Sequence, residues 1–69
     1  MNIVFTKHAK EQMTERNISE DEAINTIKYP EVTQKINNIY YAQKKTIQGT
    51  IEVVYIKESY IKVITLYII

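Results

Sequence analysis

At Pro30 the spacing of apolar residues changes from one that suits helices to one that suits strands, which restricts the chain to an α+β fold. Upstream, Thr6 is placed to cap a helix over residues 7–16, with Ala9 and Met13 facing inward and Asn17 ending it. Ser19-Glu20-Asp21-Glu22 has the form of a capping box, so a second helix starts there with Ala23, Ile24 and Ile27 on one stripe. It ends near Lys28, because the residue before a proline avoids the helical region.

Downstream, residues 32–36 and 39–44 flank Asn37-Asn38, a pair that tolerates positive φ and suits a two-residue hairpin turn. Gly49 marks the next break, and strands over 50–57 and 60–68 join at Glu58-Ser59. Strict alternation in the last strand puts Ile64, Leu66 and Ile68 on one side and Ile61, Val63, Thr65 and Tyr67 on the other, so both faces need cover. The expected architecture is α+β, with two N-terminal helices packed on one face of a four-stranded antiparallel sheet, in a single domain over residues 1–69. The helices cover one face only. The other is left as a binding cleft or a dimer contact, and a homodimer would extend a core that is small in a chain of this length.

Composition narrows the function classes. There is no cysteine and only one histidine, so neither a disulfide nor a zinc site of the usual Cys/His kind is expected, and no cofactor is called for. With a single glycine, a glycine-rich phosphate loop is excluded. The first residues lack the basic and long apolar regions of a signal peptide, and the apolar run 63–69 is too short for a membrane span. A cytoplasmic protein with no membrane partner is expected. The net charge of +1 divides unevenly: residues 1–31 carry four basic and six acidic side chains, and residues 32–69 carry five lysines and two glutamates. A phosphate-bearing partner would therefore meet the sheet, unless the lysines serve only to keep its edges soluble.

Among candidate site residues, His8 stands out because imidazole titrates near neutrality. His8, Gln12 and Arg16 follow at four-residue steps, so they line one ridge of the first helix. A base, an amide and a permanent cation would then face one ligand. Thr65 interrupts an apolar strand and needs a hydrogen-bond partner if buried. Lys44 and Lys45 could reach phosphate, and the tyrosines, among them Tyr40, Tyr41, Tyr55, Tyr60 and Tyr67, could stack on bases or serve as strand-forming core.

The run from Phe5 to Ser19, with His8, Ala9, Met13, Arg16, Ile18 and Ser19 in place, resembles the opening of a family of small bacterial and archaeal proteins, the domain of unknown function numbered 4258. Val53-Val54-Tyr55 and the run from Val63 to Tyr67 are similar to its paired closing strands. That family in turn resembles the barnase, colicin D and RelE-like toxin ribonucleases, whose core is one or two helices on a four-stranded antiparallel sheet. The resemblance implies metal-free RNA cleavage by attack of a ribose 2′-OH on the adjacent phosphate, with RNA as substrate and a small acidic antitoxin protein as partner. It implies His8 as acid or base, Arg16 as phosphate clamp and Thr65 as orienting hydroxyl; Gln12 on the helix ridge, Lys44 and Tyr67 are expected from the residues themselves to contact substrate. Gln12 departs from the family pattern, which has arginine there. The competing expectation is a non-catalytic module that binds nucleic acid or protein through its sheet, with a homodimer as one form of it.

Overall fold

A computed structural model describes residues 2–69. The chain forms β1 (Ile3–Phe5), α1 (Lys7–Arg16), α2 (Glu20–Lys28), β2 (Val32–Ile36), β3 (Ile39–Thr46), β4 (Gly49–Lys57) and β5 (Ile61–Ile68). The helices fall where the sequence places them. Thr6 caps α1 by accepting from the Ala9 amide at 3.0 Å, and Asn17 closes it in the left-handed region at φ 57°. Ser19 and Glu22 form both halves of the capping box, so two N–H groups that the first turn of α2 leaves free are satisfied.

The sheet differs from the expectation. It has five strands in the order β1-β5-β4-β3-β2, and it is mixed, because β1 runs parallel to β5 while every other pair is antiparallel. The unforeseen strand is short: Ile3–Phe5 pairs with Ile61, Lys62 and Val63, after which the chain turns directly into α1.

A second departure lies in β5. Thr65 stands opposite Val54, yet the next partner, Tyr55, stands opposite Val63, so Ile64 is an extra residue and the strand bulges there. An inserted residue reverses the alternation beyond it. Ile61, Val63 and Leu66 therefore all join the core beneath the helices, with Ile68 packed against it. Thr65 and Tyr67 turn to the opposite face, and the expected grouping of Thr65 with Ile61 and Val63 does not occur. Thr6 pins this bulge: its amide donates to the Val63 carbonyl at 3.1 Å and its hydroxyl to the Ile64 carbonyl at 2.9 Å.

The core joins Ala9 and Met13 of α1, Ile18, and Ala23 and Ile27 of α2 to Ala42, Ile51, Val53, Tyr55, Ile61, Val63 and Leu66 of the sheet. Ile24, expected on the α2 stripe, is only half-buried. Thr26 takes the deep position instead, fully buried, with its hydroxyl donating to the Glu22 carbonyl at 2.8 Å. Both helices lie on this one side, and no described element crosses the other. Among the described residues no helix is long and apolar enough to cross a membrane.

Candidate functional site

Strand register arranges the uncovered face in rows, since residues paired across antiparallel strands share a face. At the end by the Asn37-Asn38 turn the row is Ile36, Ile39, Ile56, Lys62 and Val4. The middle row is Gln34, Tyr41, Val54 and Thr65, and the next is Val32, Gln43, Glu52 and Tyr67. Lys45 and Thr50 follow. Apolar, aromatic and polar groups thus succeed one another along the strands.

The polar row is hydrogen-bonded end to end. Gln43 Nε2 donates to Glu52 Oε2 at 2.7 Å, and the Tyr67 hydroxyl donates to Glu52 Oε1. Both carboxylate oxygens are engaged by neighbours, which fixes the side chains of three adjacent strands. Donation to Glu52, reinforced by partial burial and by the negative charge on that carboxylate, pushes the Tyr67 phenol up to about 12. At neutral pH it is a protonated donor. Val54, buried at 7% exposure with no helix above it, forms the floor between Tyr41 and Thr65.

The six residues singled out in the sequence divide between three places. His8 and Arg16 are exposed and Gln12 half-buried on α1, which packs above β5 on the helix side of the sheet. Thr65 and Tyr67 share the uncovered face. Lys44, on the helix side of β3, donates from Nζ to the Tyr29 carbonyl at 3.1 Å and lies 5.6 Å from the centre of the Tyr29 ring. The structure brings Thr65 and Tyr67 together and leaves His8 and Arg16 on the other side of the sheet. Tyr40 and Tyr55 are also on the helix side, where their rings stack at 5.0 Å and Lys35 sits 5.3 Å above Tyr40.

Gln43 and Glu52 are absent from the residues the sequence singles out, and Tyr41 enters there only as one of several tyrosines that could stack on bases. The signal for Gln43 and Glu52 is register: a short turn at Ile47-Gln48 sets Gln43 opposite Glu52, and only then does the lone carboxylate of the largely apolar β4 become part of a polar row.

Fold and site together define a small α+β protein with two helices on one face of a mixed sheet and a hydrogen-bonded polar and aromatic cluster on the other. The family model described as Domain of unknown function (DUF4258) matches residues 5–68, and the chain belongs to that family. No curated protein and no solved structure matches it.

Proposed function

We infer that the chain binds single-stranded RNA on the uncovered face of its sheet. The observation that carries this reading is the placement of Tyr41 and Tyr67 on a face no helix covers, either side of the Val54 floor and flanked by Lys45 and Lys62. Sheet-borne aromatic rings stack on bases of any sequence, and lysines at the margin meet the backbone. On this face Lys45 and Lys62 outnumber the one carboxylate, Glu52, which points the same way.

Fluorescence anisotropy with a labelled single-stranded RNA tests it. Stacking contributes about 1–3 kcal/mol per base, so Tyr41→Ala weakens binding roughly five- to 150-fold. Affinity falls with salt by a slope of about 0.7 per phosphate neutralised, and Lys45 and Lys62 supply two such contacts. Binding that ignores both the tyrosine and the salt concentration contradicts the reading.

RNA cleavage is the second reading, in keeping with the resemblance to toxin ribonucleases. It is favoured by Glu52 being the one carboxylate in these rows, hydrogen-bonded to Tyr67. A carboxylate that takes the 2′-OH proton beside a phenolic donor is an acid–base pair of the kind such a reaction needs. Cutting of RNA but not of its 2′-deoxy analogue in chelator, lost in Glu52→Gln, supports it. Intact RNA after prolonged incubation removes it.

A further inference from the structure

The outer edge of β2 is the most exposed strand surface in the fold. All five of its residues are exposed, including Val32 at 48% and Ile36 at 53%, and β3 pairs with one side only. The opposite edge of the sheet is partly closed, because β1 takes the Ile61–Val63 stretch and Thr6 the Ile64 carbonyl. Among the described residues nothing comparable protects β2. It contains no proline and no bulge, and Lys35 is the single charge within it.

Its hydrogen-bonding groups follow from the turn. Asn37 and Asn38 both have positive φ, 51° and 67°, and the two-residue turn they form closes on Ile36 paired with Ile39. Hydrogen-bonded and non-bonded pairs alternate in an antiparallel ladder, so Gln34 and Val32 also bond inward to β3. The N–H and C=O groups of Thr33 and Lys35 point outward, and no described group bonds them.

We propose that β2 pairs antiparallel with β2 of a second copy of this chain, about a two-fold axis at Gln34, giving a continuous ten-stranded sheet. In that register Thr33 faces Lys35 of the second copy, and each exchanges both hydrogen bonds with the other, so all four outward N–H groups of the two strands are used. On the uncovered face Val32 meets Ile36 of the second copy, twice by symmetry, which covers the two exposed apolar side chains of the strand. Gln34 meets its own copy at the axis, where two amides can hydrogen-bond. The register with Lys35 on the axis does worse, because two ammonium groups are opposed and Val32 loses its apolar partner. The contact is isologous and closes at two copies. It sets both sets of helices on one side and joins the two uncovered faces into one surface.

Sedimentation velocity over a concentration series tests this without any nucleic acid. The expected result is a mass rising from one chain to two and no further. Thr33→Pro deletes an outward N–H and leaves the inward bonds of Val32, Gln34 and Ile36 alone, and proline is tolerated on an edge strand. Gln34→Lys places like charges at the axis. Each variant is expected to stay at the mass of one chain with an unchanged circular dichroism spectrum, so a folding failure in one leaves the other to decide. In the wild type, amide exchange at Thr33 and Lys35 slows as concentration rises. A wild-type chain that remains monomeric throughout overturns the proposal, as does a dimer that persists in both variants.

Discussion

The hydroxyl of Thr6 donates to the carbonyl of Ile64, and the same oxygen accepts from the amide of Ala9. One side chain therefore starts α1 and holds the bulge that turns Thr65 and Tyr67 onto the uncovered face. Thr6→Val keeps the shape and removes both bonds. Loss of a helix cap costs about 1 kcal/mol, and a partly buried carbonyl left without its partner about 1 kcal/mol more. A drop of about 2 kcal/mol lowers the melting temperature of a domain this small by roughly 8–16 °C. Thr6→Ser, which keeps the oxygen, restores most of it. A thermal melt of the pair checks the account, and equal stability of Thr6→Val and wild type would count against it.

The bond from Tyr67 to Glu52 has a spectroscopic signature. Tyr67 ionises only near pH 12, because donation to Glu52 stabilises the protonated phenol. A phenol raised above its unfolded value, near 10, contributes stability that is complete below pH 10 and is lost as pH rises through 12. Tyrosinate absorbance should accordingly show a late component. Tyr55 is raised too, by burial and then by Tyr40, so variants are needed to separate the two. Tyr67→Phe removes part of the late component, and Glu52→Gln moves that part to lower pH. An unchanged titration curve in Glu52→Gln would contradict the bond.

Gly49 opens β4 at φ 127°, a conformation that side chains rarely adopt. A Cβ there would stand 3.0 Å from Ile68 Cγ2. Gly49→Ala is expected to cost about 1–3 kcal/mol through backbone strain, with the fold retained. Denaturant unfolding measures it directly, and a neutral result would mean that the turn adopts another geometry.

Much of this structure was legible in the sequence. The ends of both helices, the capping box and the Asn37-Asn38 hairpin are written in local chemistry, where a hydroxyl, a carboxylate or a positive φ decides the outcome within four residues. What was not legible depends on distant partners. Ile3–Phe5 is too short to show a period, and its partner lies at the far end of the chain. The bulge at Ile64 sits in a strand that is apolar at nearly every position, so the alternation gave no sign of reversing. Thr65 is out of place in its strand on sequence alone, but its neighbours depend on that bulge. His8, Gln12 and Arg16 share the ridge that their spacing implies, yet which side of the sheet α1 covers is settled by packing.

Whether RNA meets the uncovered face is read from amide and side-chain NMR shifts during titration with a single-stranded RNA. The largest changes are expected at Tyr41, Gln43, Val54, Thr65 and Tyr67, with Lys45 and Lys62 at the margin. Changes confined to His8, Gln12 and Arg16, or no change anywhere, would contradict it.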